Sequence, residues 1–303
     1  MGGTSFSSSA YDDLKRDYST KSRATIFKSS TMNSDMNPKN MSFRECRDSD
    51  AHPNSFPIIV GLDVTGSMGS IPENLIKNKL GKLMEILISN GVSDASICFL
   101  GIGDHYSDSA PLQVGQFESG TEELNKWLTN IYLEGGGGGQ DMESYQLAWL
   151  FAARHTSTDS FEKRGVKGFI FTIGDEFVHP NLESDFLKDY MGYKQASDAS
   201  TEDLLEEAKK TYRVFHIHCN DGNYQEEVSN KWKDVIKENL IIVNDSDTIA
   251  EVIASTVAMI NGADMKDLAK HMDASTERSV RNALSTIPKN DITNYSDTGV
   301  INL

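Results

Sequence analysis

The sequence predicts an α/β fold: a doubly wound, mostly parallel central sheet with helices on both faces. Three observations predict it. From Phe56 onward short apolar runs of strand length recur, stretches with the 3.6-residue helical period separate them, and turn residues mark the joins. Neighbouring parallel strands need a crossover of about a dozen residues or more, usually a helix, so this alternation specifies the sheet.

Residues 57–63, PIIVGLD, form the first buried strand. Residues 71–90 follow with Leu75, Leu80, Leu83 and Leu87 at helical spacing, and Asn90-Gly91 supplies the stop, since glycine takes the left-handed conformation that ends a helix. The second strand is 95–103 (ASICFLGIG) and a short third is 111–117 (PLQVGQF), before a helix over about 124–131. Five glycines at 135–139 lead into a helix through Tyr145, Leu147, Leu150 and Phe151. Such a run alone reads as a flexible linker, yet KGFIFTIGD at 167–175 soon resumes the sheet. A helix over 201–211, a strand at 212–219, a helix around 228–236, a strand at 240–243 and a helix over 248–260 complete the alternation. The domain therefore spans 56–261. Residues 1–55, rich in Ser, Thr, Asn and Asp, read as a polar, partly disordered arm, and 262–303 as an amphipathic helix, roughly 265–284, with a polar tail.

Charge narrows the function. The 303 residues hold 29 Lys+Arg against 45 Asp+Glu, a net of -16. The arm carries eight basic and seven acidic residues, so the acidity belongs to the remainder of the chain. Nucleic-acid binding and attraction to anionic membranes both need a basic face and are not expected. Cys46, Cys98 and Cys219 show no CxxC or zinc-knuckle spacing, which excludes a disulfide scaffold and fits a reducing compartment. The amino terminus lacks the apolar core of a secretory signal, and no run approaches the ~18 apolar residues of a membrane span. Met1-Gly2 opens like a myristoylation signal, but Phe6 stands where that pattern wants Ser or Thr. The cytoplasm is the expected compartment.

Ligands of open α/β sheets collect at the carboxyl ends of strands near the topological switch point. The first strand ends in Asp63-Val64-Thr65-Gly66-Ser67, one carboxylate and two hydroxyls at alternate positions. The strand at 167–175 ends in Asp175-Glu176, and the glycine run leads into Gln140-Asp141-Met142-Glu143-Ser144. An all-oxygen set suits a hard cation, about six ligands near 2.0–2.1 Å for magnesium. His216, His218 and Cys219 share a strand, where i and i+2 face the same way, but without a third ligand at a fitting spacing they read as satisfied strand residues. Asp104, His105 and Asp108 follow the second strand at the same sheet edge and read as a solvated loop that can also extend the site. There is no P-loop, GxSxG or HExxH motif, so the protein is not expected to be an enzyme.

An apolar strand followed by DxTxS-Met-Gly and a helix, a Gly-rich loop before a second helix, and a later strand ending in Asp together resemble a von Willebrand factor A domain with its metal-ion-dependent adhesion site, over residues 56–260. The resemblance implies that Asp63, Thr65 and Ser67 stand for the family's Asp-x-Ser-x-Ser, with Thr for the first Ser, and Asp175 for the aspartate that holds a metal-bound water. The segment GGGGGQDMES resembles the Gly-Gly-(Asp/Asn)-x-x-Glu variant of the loop, placing Gln140, or by a one-residue slip Asp141, at the family's threonine. The implied cofactor is Mg2+ or Mn2+. Neutral hydroxyls leave such an ion under-neutralised, so a partner protein's carboxylate completes its shell. With Asp141 as a third carboxylate the site becomes more structural than adhesive. Intracellular members of the family often serve AAA+ ATPases, including MoxR-like proteins and metal chelatases, or tellurite-resistance systems; the implied function is an adaptor, with an AAA+ ATPase among the possible partners. Two alternatives use the same residues. In a haloacid-dehalogenase-like phosphotransferase Asp63 is the nucleophile and Asp175 with Glu176 binds metal, although Thr65 stands where the second Asp belongs. In a structural assembly component the metal does not exchange.

Overall fold

The polar segment before Phe56 folds onto the domain. In this computed structural model, which describes residues 4–39, 41–66, 68–135, 142–220, 226–285 and 287, the chain begins with helix α1 (Ser8–Tyr18), α2 (Arg23–Ile26) and the short strand β1 (Arg44–Cys46). Within this segment Tyr11, Ile26, Phe27, Met36 and Cys46 are all buried. The Tyr11 ring lies where a side chain on Gly81 would be, and its hydroxyl donates to the Ile76 carbonyl at 3.3 Å. Arg47 adds ion pairs to Asp159 (2.9 Å) and Glu162 (2.6 Å). Its apolar residues show no period because each fills a separate seat on a surface built by the rest of the chain.

The sheet follows. Strand β2 (Phe56–Asp63) leads to α3 (Ser70–Asn74), which passes through a π-helical turn, Leu75–Lys79, into α4 (Leu80–Ser89). Next come β3 (Ala95–Ile102), β4 (Leu112–Val114), α5 (Thr121–Thr129), β5 (Met142–Glu143), α6 (Gln146–His155), β6 (Thr156–Thr158) and α7 (Asp159–Arg164). Strand β7 (Gly168–Gly174) precedes β8 (Phe177–Val178), β9 (Asn181–Leu182), α8 (Ser184–Asp189), β10 (Ala199–Ser200) and α9 (Thr201–Ala208). The chain then runs through β11 (Tyr212–Cys219), α10 (Glu226–Ile236), β12 (Leu240–Val243), α11 (Ile249–Ile260), α12 (Met265–Leu268) and α13 (Ala274–Leu284).

The central sheet has the order β12-β11-β7-β2-β3-β4, parallel throughout except for β4, which runs antiparallel to β3. It is the predicted doubly wound α/β architecture. Alternation along β2 sends Ile58, Val60 and Leu62 into one core, with Leu83 and Leu87 of α4 and Val257 of α11, and Ile59 into the other, with Trp149 of α6 and Trp232 of α10. The chain winds from β2 toward β3 on one side and occupies β7 on the other, so the switch point lies between the carboxyl ends of β2 and β7. Asp63 and Asp175 flank it.

The helix expected over about 265–284 is interrupted. Asp273 accepts hydrogen bonds from the Ser275 and Thr276 amides (both 2.9 Å) and so starts a new helix, α13, after a 3-10 turn. Among the described residues no helix is long and apolar enough to cross a membrane.

Candidate metal centre

Asp63 is the last residue of β2, and the chain turns back at once so that Thr65 answers it. The Thr65 amide (2.9 Å) and hydroxyl (2.5 Å) both donate to Asp63 Oδ1. Oδ2 accepts from the Tyr145 hydroxyl at 2.8 Å. Both residues of the turn are buried, Asp63 2% and Thr65 4% exposed. Burial pushes the Asp63 carboxyl up to about 6 against the pull of those hydrogen bonds, and the charge of Asp175 pushes the same way.

Tyr145 is held in place from three sides. Its ring packs 5.0 Å from His216 and 5.7 Å from Trp232, and Gly174 makes room for its hydroxyl, which lies 1.9 Å from where a Cβ would stand. His216 stacks on Trp232 at 3.7 Å and meets the Thr172 hydroxyl through Nδ1 at 2.9 Å, while Trp232 donates to the Glu176 carbonyl at 2.9 Å. Burial holds His216 well below its ordinary value and His218 down at about 4, so both rings are neutral packing groups at pH 7. Among the described residues they belong to no cluster of three metal-competent side chains.

Residues after the glycine run reach the same place. Strand β5 pairs in parallel with β8, Met142 opposite Phe177 and Glu143 opposite Val178, which fastens Glu143 beside the end of β7. Glu143 is 4% exposed, and its Oε2 is buried with no hydrogen-bond partner among the described residues. Burial raises its carboxyl to about 10, followed by the charges of Asp63, Asp108, Asp104 and Glu176. The charges that raise these carboxyls are those of Asp175 at Asp63 and of Asp63, Asp108, Asp104 and Glu176 at Glu143. Asp63 is within electrostatic reach of Asp175 and Glu143, but among the described residues these carboxylates form no group of three whose ligand atoms lie within 4.8 Å of one another; oxygen donors of this kind are the chemistry a hard divalent cation takes.

Of the residues marked by the sequence, Asp63 and Thr65 are joined directly and Asp175 lies within electrostatic reach of Asp63. Ser67, Gln140 and Asp141 lie outside the described residues. Glu143 was not among the proposed ligands, although the glutamate of the Gly-Gly-(Asp/Asn)-x-x-Glu pattern falls on it. In the loop after β3, Tyr106, Ser107 and Ser109 are exposed while Asp104 is buried. Asp104 is 2% exposed, its amide bonds Asp108 Oδ2 at 2.8 Å, and Gly103 leaves space for that carboxylate 2.4 Å from where its Cβ would be.

No family model matches the chain, and no curated protein matches it. Among solved structures it is similar to the pilus adhesin SpaC of Lactobacillus rhamnosus GG (11% identity, TM-score 0.42, 68% of this chain and 30% of that one). It is also similar to proximal thread matrix protein 1 of the mussel byssus (11%, 0.43, 71% and 48%) and to the conserved hypothetical protein BatB of Bacteroides thetaiotaomicron (12%, 0.39, 71% and 100%). The chain therefore matches under half the length of the first two. Likenesses of this size assign no function. The architecture itself, a doubly wound sheet with a carboxylate cluster at its switch point, is consistent with a von Willebrand factor A-like domain.

Proposed function

We propose that this protein is a protein-interaction module that holds a divalent cation, Mg2+ or Mn2+, at Asp63 and uses it to engage a carboxylate of a partner protein. The observation that carries the proposal is Glu143 Oε2, buried, without a partner among the described residues and within electrostatic reach of Asp63. An ionised carboxylate in that position costs several kcal/mol unless a cation or proton answers it. When bound, the cation supplies that counter-charge and an open coordination position for an external anion.

The chain's own residues do the positioning. Thr65 and Tyr145 fix both Asp63 oxygens, and Asp175 and Glu143 bring further oxygens to the same strand ends. Holding Asp63 from both sides suits an anchored ligand better than a phosphoryl-accepting nucleophile, so an adaptor is favoured over a phosphotransferase. The resemblance to the von Willebrand A family makes AAA+ ATPases the first partners to try. Glu143 supports one second reading. If it coordinates as a third carboxylate, it leaves the ion little appetite for a partner's anion, and the metal is a fixed structural part.

Calorimetric titration of Mg2+ and Mn2+ into the chain and into Asp63→Ala tests the site: loss of binding in the variant is expected, and equal affinity would overturn it. Capture of partners by both proteins, in magnesium and in EDTA, then separates the readings. Retention that needs both Asp63 and metal marks the interaction module; metal binding with metal-indifferent capture marks the structural ion.

A further inference from the structure

We propose that Asp104, His105 and His179 form a second metal site, separate from Asp63, for a borderline transition-metal cation of the zinc type. Nothing in this inference depends on what Asp63 binds. One ligand atom from each of the three residues lies within 4.8 Å of the others. His179 Nε2 stands 2.9 Å and His105 Nδ1 4.0 Å from the same oxygen, Asp104 Oδ1. The side chains are 1–3% exposed, so water competes little for them. Two imidazoles and a carboxylate are the donor set that Zn2+ takes, with a fourth position left for water or another oxygen, whereas Mg2+ prefers oxygen alone.

The surroundings hold the three donors as a metal site needs them held. Asp104 Oδ1 accepts the Tyr106 amide at 3.0 Å and Oδ2 the Ser107 hydroxyl at 2.9 Å, so the carboxylate cannot rotate away. His105 presents Nε2 to Glu183 Oε2 at 3.0 Å and Nδ1 to the Ser144 hydroxyl at 2.7 Å; that same Ser144 oxygen accepts the His105 amide at 2.9 Å. A carboxylate on the far nitrogen fixes the imidazole tautomer with the proton on Nε2, so the Nδ1 lone pair accepts from the Ser144 hydroxyl with Asp104 Oδ1 4.0 Å away; a carboxylate on the far nitrogen is the arrangement that supports ligating histidines elsewhere. On binding, the metal takes the place of the Ser144 hydroxyl at His105 Nδ1. It also replaces the proton at His179 Nε2, which moves to Nδ1 of that ring or to solvent.

Tyr106 is 56% exposed, its ring centroid lies 4.0 Å from that of His105 and 5.0 Å from that of His179, and its hydroxyl donates to Glu183. It packs against both imidazoles, and the Phe186 ring covers His105 from 5.0 Å. The two sites share a strand: Glu143 of β5 faces the charge of Asp63, and the next residue, Ser144, bonds His105. A zinc ion here ties the loop after β3 to the turn after β8.

The test uses the full chain stripped with chelator, titrated with Zn2+ against a chromogenic competitor and with Co2+ by visible absorption. One Zn2+ per chain is expected in the unmodified protein and in Asp63→Ala, with Co2+ giving the d–d bands of a four- or five-coordinate site in both. His179→Ala should weaken Zn2+ by more than roughly 100-fold, and Glu183→Gln, which alters the carboxylate behind both His105 and Tyr106, by roughly 10- to 100-fold. Glu183 is 38% exposed, so Glu183→Gln decides the matter if His179→Ala does not fold. Equal Zn2+ affinity in the chain and Glu183→Gln together with absent Co2+ bands would overturn the proposal. So would Zn2+ binding that is lost in Asp63→Ala and kept in His179→Ala, which assigns the ion to the other site. Mg2+ binding indifferent to Asp63→Ala overturns only the reading of Asp63.

Discussion

Tyr145 carries one hydroxyl into a group of carboxylates and spends it on Asp63 Oδ2. Removing it with Tyr145→Phe strands a buried acceptor, with an expected loss of about 1–3 kcal/mol in stability without metal. The same change should weaken divalent-ion affinity roughly 10- to 100-fold if Asp63 is a ligand, a split that calorimetry and urea denaturation together resolve. Gly174→Ala attacks the same contact from the other side: a Cβ 1.9 Å from the hydroxyl forces the ring to shift, with an expected cost of about 1–3 kcal/mol. Asp63 and Thr65 were legible in the sequence because their bond spans two residues and needs only a strand that ends there. Glu143 was not read as a ligand, because its burial and its acidic company come from the pairing of β5 with β8. The partner of Asp104 was not legible for a similar reason, since His179 comes to it from 75 residues away.

At the level of elements, the amino-terminal helix and the carboxyl-terminal pair are the parts that sequence patterns described least well. Helix α1 has one buried residue, Tyr11, too few to show as a period, yet that ring seats over Gly81. Tyr11→Ala should therefore undock the arm, lowering stability by up to about 3 kcal/mol and exposing the segment to protease before the rest of the domain unfolds. Asp273→Ala removes the cap that starts α13, and a shift in urea midpoint equivalent to about 1 kcal/mol, with unchanged slope, is expected. The sheet strands were legible almost to the residue. Each is an apolar run between turn signals, and a strand buried on both faces needs no finer pattern.

Across the whole molecule, charge sets how the parts respond to solution conditions. Asp159 joins the body to the arm. Burial opposes its ionisation, but Lys163, the Asp48 amide and Arg47 hold its carboxyl down at about 2 against an ordinary 3.8. A depressed carboxyl stabilises the fold above the unfolded value and loses that contribution as pH falls through the folded one. Arm docking should accordingly weaken between about pH 4 and 2, and Asp159→Asn should flatten that window in a proteolysis series. Metal acts in the opposite sense: saturating Mg2+ at 100 times its Kd should add about 2.7 kcal/mol and raise Tm, and Asp63→Ala should abolish the shift.

By itself the sequence determined the α/β class, the strand order in the chain and the first half of the candidate site. Those follow from local rules, namely period, turn chemistry and a carboxylate placed two residues before its hydroxyl. Only the tertiary structure decided that the arm is part of the body and that Glu143, Tyr145, Asp104, His105 and His179 come together in two adjoining clusters. These residues lie on segments whose meeting depends on sheet order and on the short β5–β8 pairing, and no local period records which strand ends will be neighbours.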